Sequence, residues 1–181
     1  MDFLQGKHFL VLGLGESGLP TLRWLLKHNA SVRAADSRDC PPNLPAIQEA
    51  FPGLPIHCGA FTPALFEGID VVVASPGIAI KDIAAYAGSA QIIGDIELFA
   101  HATVTWPSKV LAITGSNGKT TVTSMVGEIC RYAGLNTWVA GNIGYAALDS
   151  LLDAEQIIST TGVYPDVFVL ELSSFQLETT H

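Results

Sequence analysis

A strand followed by a glycine-rich loop and then a helix occurs twice in this chain. The first copy runs through "KHFLVLGLGESG" at residues 7–18 into a stretch with leucines at helical spacing, namely Leu19, Leu22, Leu25 and Leu26. The second runs through "KVLAITGSNGKTT" at 109–121 into a helix that Gly134 ends. That helix carries an apolar stripe made of Val122, Met125, Val126, Ile129, Cys130 and Ala133. The repetition predicts two α/β units in tandem, each with a parallel sheet.

Further strand patterns complete each unit. Those of the first unit lie in "SVRAADSR" (31–38), "IDVVVASPGI" (69–78) and "AQIIGDIELFA" (90–100), and those of the second in "LNTWVAGNIG" (135–144) and "DVFVLELSSFQLE" (166–178). We therefore predict an α/β fold, with a Rossmann-like domain over residues 1–100 and a P-loop-type central domain over 101–181. With about three strands after residue 109, the central domain is expected to be truncated. An exposed sheet edge would then lower stability or favour self-association.

Composition narrows the functional classes. The 181 residues include 9 basic and 17 acidic side chains, a net charge of -8 without a basic cluster, which argues against a nucleic-acid partner. Cys40, Cys58 and Cys130 form no C-x-x-C pair, so we expect neither a disulfide framework nor a zinc site. No apolar run reaches the roughly 18 residues of a membrane span. The expectation is a cytoplasmic protein without membrane association.

The second glycine loop has the features of a phosphate site. It differs from the common G-x-x-x-x-G-K-[ST] pattern because Ile113 stands where the first glycine would be. Its position before a long helix offers backbone N–H groups and partial positive charge to phosphates. Lys119 would contact the β- and γ-phosphates of ATP, and the Thr120 hydroxyl would bind Mg²⁺. The predicted ATP-binding residues are Gly115, Ser116, Asn117, Gly118, Lys119, Thr120 and Thr121. The competing interpretation is an ordinary strand-to-helix turn.

The first glycine loop matches the dinucleotide pattern G-x-G-x-x-G at Gly13, Gly15 and Gly18. Asp36, at the end of the second predicted strand, could then bind a ribose, and the pair would indicate an NAD-dependent dehydrogenase. The alternative is a turn that the fold requires and that binds nothing. Glu16 inside the loop would face a pyrophosphate, which is unfavourable for NAD.

Two polar residues follow strands of the second unit. Glu171 ends the apolar run "DVFVL", where a carboxylate could bind the Mg²⁺ of a nucleotide or could simply be solvated. Asn142 lies in a Gly-Asn-Ile-Gly turn, a pattern typical of a left-handed backbone position.

"TGSNGKTT", "GNIG" and "LELSSFQLE", in this order, closely resemble the Mur ligases, and "VVASPGI" and "GDIELF" extend the resemblance over the whole chain. Within that family the likeness is greatest to the ligases that add D-glutamate to UDP-N-acetylmuramoyl-L-alanine. The resemblance implies that the shortened loop is the ATP site, that Lys119 and Glu171 are catalytic, and that Glu171 and Thr120 bind Mg²⁺. It also implies that the first unit holds the UDP part of the substrate. Residues matching substrate positions are Glu16, Ser17, Asp36, Ser37 and Arg38 near the uracil and diphosphate, and Asn142, Ser173 and Gln176 near the muramyl portion. Glu16 departs from the smaller or apolar residue expected there.

The implied activity is an ATP-dependent acid–amino-acid ligase of peptidoglycan biosynthesis. ATP would phosphorylate the alanine carboxylate, and the D-glutamate amine would attack the acyl phosphate to give the amide, ADP and phosphate. The resemblance implies ATP and Mg²⁺ as cofactors and a monomer at full length. It also implies a C-terminal domain that is expected to be absent from these 181 residues, so the chain alone should not turn over. The alternatives are another Mur or folyl-polyglutamate-type ligase, an NAD(P)-dependent dehydrogenase using the Gly13–Gly18 loop, and a non-catalytic nucleotide-binding module.

Overall fold

A computed structural model describes residues 2–180 and contains two parallel sheets. The strands are β1 His8–Leu12, β2 Ser31–Asp36, β3 Ile56–Cys58, β4 Val71–Ala74, β5 Gln91–Ile93, β6 Lys109–Ile113, β7 Thr137–Gly141 and β8 Val167–Glu171. The helices are α1 Gly18–Lys27, α2 Leu44–Ala50, α3 Ile80–Ala87, α4 Asp95–Thr103, α5 Lys119–Tyr132, α6 Ala147–Thr161 and α7 Ser174–Leu177. Short 3-10 turns lie at Asp2–Leu4 and Pro63–Phe66. The predicted α/β fold with two parallel sheets is confirmed.

The first sheet has the strand order β3-β2-β1-β4-β5. Strands β1 and β4 are apolar and almost wholly buried, because helices cover both faces of a parallel sheet. The order reverses between β1 and β4, so the loops after these two strands diverge and leave a crevice at the carboxyl edge. The first glycine loop therefore lies beside the loop that follows β4.

The second sheet has the order β6-β8-β7, which makes β6 an edge strand. Strand β8 is buried along its length, whereas Val110 and Leu111 of β6 are exposed. Helix α5 forms where predicted, but it packs on β7 and β8 through Thr123 and Gly127. Within its apolar stripe, Val126 and Cys130 are half-buried, whereas Val122, Met125 and Ile129 are exposed.

One continuous core joins the two units. Phe99 of α4 meets Phe168 of β8 edge-on, with ring centroids 5.0 Å apart, and Leu25 of α1 belongs to the same buried cluster as Leu151 of α6. The division of the chain at residue 100 remains a prediction, since α4 packs against α6 as well as completing the first unit. Among the described residues, no helix has the length and apolar character needed to cross a membrane.

A polar cluster lies beside that core, between α1 and α6. The Glu155 carboxylate accepts a hydrogen bond from Trp24 Nε1 at 3.0 Å and contacts His28 Nε2 at 3.0 Å, while Lys27 Nζ lies 3.3 Å away. Burial raises the pKa of Glu155, but the hydrogen bonds from His28, Trp24 and Lys27 outweigh it and lower the pKa overall. The cluster fixes α1 against α6.

Candidate functional site

A cavity of about 840 Å³ opens between the two units. The first unit contributes the loops after β1, β2 and β4, so the cavity lies at the reversal point of the strand order. The second unit contributes residues 141–149 and Gln176. Among the residues predicted to bind substrate, those lining the cavity are Glu16, Ser17, Asp36, Ser37, Arg38, Asn142 and Gln176. The ATP-loop residues lie outside the cavity wall.

The first glycine loop is held tightly against its own helix. Gly13 has a φ of 88°, and a Cβ at Gly18 would collide with the Gly13 carbonyl oxygen. Asn43 Nδ2 donates to the Gly15 carbonyl oxygen at 2.8 Å from the neighbouring segment. Ser17 precedes α1 without capping it through its side chain. Gly13 is therefore required by its backbone angle and Gly18 by close backbone approach, whereas a Cβ at Gly15 would meet no neighbour. The helix N-terminus has no side-chain cap.

Asp36 connects the loops after β1 and β2. One carboxylate oxygen accepts from Leu14 N at 2.7 Å and from Arg38 Nη2 at 2.7 Å, and the other accepts from Arg38 N at 2.9 Å and Nε at 2.8 Å. The Arg38 hydrogen bonds, opposed by burial and aided by the Leu14 N–H, hold the pKa of Asp36 at about 2. Each carboxylate oxygen accepts two bonds, so its lone pairs are occupied by the protein's own donors.

The loop predicted to bind ATP, residues 115–121, follows β6. Gly115 and Gly118 have φ values of 149° and 76°, backbone angles that side chains disfavour. Lys119 Nζ donates to the Gly115 carbonyl oxygen at 2.9 Å and closes the loop upon itself. Ser116, Asn117, Thr120 and Thr121 are exposed, and Gly118 precedes α5 without a side-chain cap. The loop is open to solvent at the N-terminus of a long helix.

Glu171 ends β8 beside Ile113, the last residue of β6. It is only 2% exposed, and its Oε2 atom has no hydrogen-bond partner among residues 2–180. An unpaired buried carboxylate oxygen is costly, and a cation would satisfy it. No cluster of three or more His, Cys, Asp or Glu residues in the described chain could hold a metal. One carboxylate and one hydroxyl, Glu171 and Thr120, nevertheless suit Mg²⁺, which keeps phosphate oxygens and waters as its other ligands.

Gln176 lies in the cavity wall on the short helix α7. Ser173 Oγ accepts from Gln176 N at 3.2 Å, and Gln176 Oε1 accepts from Ser173 N at 3.0 Å, a capping box that fixes both side chains. Ser173 itself does not line the cavity. Gln176 Nε2 donates to the buried Asp95 carboxylate at 3.3–3.4 Å. Burial raises the pKa of Asp95, and the bonds from Gln176 and from Ile96 N–H oppose this only in part.

The left-handed position predicted for Asn142 is wrong. In its turn the positive φ values belong to Gly141, at 103°, and Gly144, at 87°. Gly141 is needed at this position because a Cβ there would collide with the backbone of Glu171. Asn142 N donates to the Glu171 carbonyl oxygen at 2.8 Å.

The sequence analysis missed several residues of the cavity wall. The loop after β4, at residues 75–78, faces the loop after β1, and Asp95, Tyr145 and Asp149 complete the wall. The sequence did contain an indication of the loop at residues 75–78, since Pro76 and Gly77 follow a buried strand of the same sheet. Asp95 lies in the quoted stretch "GDIELF", but that stretch assigned it no role, because its contact with Gln176 joins residues 81 positions apart.

Comparison with known proteins gives matches over most of the chain. The profile described as "Mur ligase MurD-like, N-terminal domain" matches residues 7–94, and that of the "Mur ligase middle domain" matches residues 113–181. The chain belongs to the Mur ligase family. A "UDP-N-acetylmuramoylalanine--D-glutamate ligase" of Methylobacillus flagellatus is 50% identical over 98% of this chain, and the protein of that name from Chromobacterium violaceum is 49% identical over 99%. The chain spans 38% and 39% of the length of these Mur ligases.

Solved Mur ligase structures share the fold. The murein peptide ligase of Psychrobacter arcticus matches 94% of this chain with a TM-score of 0.53 and 21% identity, and the chain spans 39% of that protein. A UDP-N-acetylmuramate:L-alanyl-gamma-D-glutamyl-meso-diaminopimelate ligase from Neisseria meningitides matches 91% with a TM-score of 0.53 and 20% identity, and 52% of it is spanned. These likenesses support the two-sheet architecture.

Proposed function

We propose that this chain is the substrate-binding and ATP-binding part of a ligase that adds D-glutamate to UDP-N-acetylmuramoyl-L-alanine. The observation that carries the proposal is the shared cavity. Residues that resemble the family's UDP positions and residues that resemble its muramyl positions line the same space, although they come from different sheets. The 50%- and 49%-identical relatives are named for joining UDP-N-acetylmuramoylalanine to D-glutamate, and the proposal takes both substrates from those names.

The diphosphate would bind beside the loops after β1 and β2. Arg38 is half-exposed in the cavity wall, and its guanidinium keeps N–H groups beyond those that Asp36 takes. Asp36 is better suited to holding Arg38 and the glycine loop than to binding a ribose, because its lone pairs are occupied. This arrangement favours a UDP-linked substrate over NAD.

ATP would bind on residues 115–121, with Lys119 leaving the Gly115 carbonyl to contact the phosphates. Glu171 and Thr120 would hold Mg²⁺, which supplies charge neutralisation for phosphoryl transfer when bound. The buried Glu171 Oε2 atom, which has no hydrogen-bond partner among residues 2–180, supports this assignment. Phosphoryl transfer depends mainly on positioning and charge, so these residues need no covalent role.

The reaction would proceed in two balanced steps. A carboxylate oxygen of the alanine attacks the γ-phosphorus of ATP, which breaks the bond to the β-phosphate oxygen and releases ADP. The D-glutamate amine then attacks the acyl carbon, loses a proton and expels phosphate. The proposal includes a cytoplasmic location and a monomeric state for the whole protein, in which residues 1–100 and 101–181 serve as separate domains.

A chimaera would test this function. These 181 residues would replace the matching segment of the Methylobacillus flagellatus relative, and incorporation of labelled D-glutamate would be measured with ATP and UDP-N-acetylmuramoyl-L-alanine. We expect ATP-dependent amide formation, which Lys119→Ala should reduce at least about a hundredfold by removing a phosphate contact. Lys81→Ala, at an exposed lysine of another helix, is the matched control and should retain activity.

The alternatives predict other results in the same assay. A sister ligase of the family would prefer another amino acid or a folate acceptor to D-glutamate. A dehydrogenase would bind NADH tightly in the Lys119→Ala variant and would not bind the UDP substrate. A folded chimaera without D-glutamate incorporation would contradict the proposed function.

A further inference from the structure

A hydrogen-bonded pair crosses the boundary between the two units at the cavity wall. Asp95 begins α4, directly after the last strand of the first sheet, and Gln176 belongs to α7, after the last strand of the second. Both side chains are buried, and both line the cavity. The backbone supports the contact, since Gly94 N donates to the Thr179 carbonyl oxygen at 3.3 Å.

The orientation of the Gln176 amide follows from its partners. Its Oε1 accepts from Ser173 N at 3.0 Å, and only the oxygen of an amide can accept. The Nε2 group must therefore face Asp95, where an acceptor is required. Nε2 lies 3.4 and 3.3 Å from the two oxygens of this one carboxylate, distances that a single N–H shared between them accounts for, and the second N–H can then serve a ligand in the cavity.

We propose that Asp95 is a positioning residue that fixes Gln176 as a hydrogen-bond donor to the sugar portion of a UDP-linked substrate. This inference rests on the proposed function of the cavity. An oxygen of the ligand, such as a hydroxyl, carbonyl or carboxylate oxygen, would accept the remaining N–H. Because Asp95 and Gln176 belong to different units, the bond also fixes the distance between the UDP-binding loops and the sugar-binding wall.

Isothermal titration with two probes separates this role from general stability. UDP-N-acetylmuramoyl-L-alanine reaches both parts of the cavity, whereas UDP alone reaches only the loops after β1 and β2. Asp95→Ala should weaken binding of the first probe about tenfold, which corresponds to one lost buried hydrogen bond, and leave the affinity for UDP unchanged. Asp82→Ala, at an exposed acidic residue in the first turn of α3, is the matched control and should change neither affinity.

An exchange of the two groups gives the decisive variant. Gln176→Glu alone places a second carboxylate against Asp95 and should also weaken binding of the muramyl probe about tenfold or more, through like-charge repulsion. In the double variant Asp95→Asn/Gln176→Glu, the two side chains can again form a hydrogen bond, and the introduced glutamate still completes the capping box, but side chain 176 no longer carries an N–H for the ligand. Affinity for UDP should then equal that of the wild type, whereas affinity for the muramyl probe should stay about tenfold or more below it.

The outcomes are distinct. A double variant that binds UDP normally but binds the muramyl probe about tenfold or more weakly supports the inference, even if a single variant fails to fold, as shown by loss of UDP binding. Full recovery of muramyl affinity in the double variant, or unchanged muramyl affinity in folded Asp95→Ala, would overturn it. If the wild-type chain binds neither probe, the proposed function of the cavity fails first, and the role of Asp95 with it.

Discussion

Two buried carboxylates near the cavity, Asp36 and Asp95, have opposite environments. Asp36 is surrounded by donors from Leu14 and Arg38, whereas Asp95 has the Gln176 amide and one backbone N–H. The pKa of the first is therefore lowered and that of the second is raised. The cavity wall thus contains one carboxylate that stabilises loops through its charge and one that orients a neighbour.

At this scale, Asp36→Asn should lower the free energy of unfolding at pH 7 by about 2 kcal/mol. The pKa of Asp36 falls from 3.8 in the unfolded chain to about 2 in the folded one, and each unit corresponds to roughly 1.4 kcal/mol. The contribution is fully present above about pH 4 and is lost as the pH falls towards 2. Urea unfolding between about pH 7 and pH 3 would measure it.

The control is Asp39→Asn, at an exposed aspartate of the same loop, which should have little effect at any pH in this range. An Asp36→Asn difference that stays constant down to about pH 3, or that grows as the pH falls, would contradict the assigned cause.

At the scale of the elements, helix α5 shows a mismatch between pattern and packing. Met125 and Ile129 are 58% and 62% exposed, although they belong to the apolar stripe that indicated the helix. The neighbouring edge strand β6 also exposes Val110 and Leu111. Exposed apolar surface of this kind favours association.

We expect the 181-residue chain to self-associate through this surface. The double variant Met125→Glu/Ile129→Lys should shift sedimentation towards the monomer without loss of thermal stability, because neither side chain is buried. Tyr132→Lys, at the end of the same helix and 92% exposed, is a single-site control. Unchanged association in the double variant would show that another surface is responsible.

The contact between α1 and α6 leads to a second prediction at this scale. Glu155→Gln should lower the free energy of unfolding by about 1–3 kcal/mol, since it weakens charge-assisted bonds to His28, Trp24 and Lys27. The pKa of Glu155 is lowered in the folded chain. The stabilisation should therefore be fully present above the ordinary pKa of a glutamate side chain and should diminish as the pH falls below it.

Glu128→Gln is the matched control for that prediction. It breaks an exposed ion pair with Arg131 on one helix, which is expected to contribute less than about 1 kcal/mol. Chemical unfolding of both variants would compare the two sites. Equal losses of unfolding free energy in Glu155→Gln and Glu128→Gln would contradict the importance of the contact between α1 and α6.

At the scale of the whole molecule, the repeated strand–loop–helix pattern predicted both sheets and the strands that carry the glycine loops. Short, weakly patterned elements such as β3 and α2 were not predicted, because three to seven residues give too little periodicity. The sequence also predicts functional roles for both glycine loops, and these roles stay predictions. It did not indicate that Asn142 and Gln176 would share a cavity with Arg38. That depends on the packing of α4 and α1 against the second unit, which local patterns do not encode.

The central claim is that one ligand occupies a cavity built by both units. Hydrogen-exchange mass spectrometry of the chain with and without UDP-N-acetylmuramoyl-L-alanine tests it most directly. We expect slower exchange together in residues 13–18, 36–38, 141–146 and 173–177, and no change in 115–121 until ATP is added. Protection limited to the first glycine loop, or none in the second unit despite measurable binding, would contradict the account.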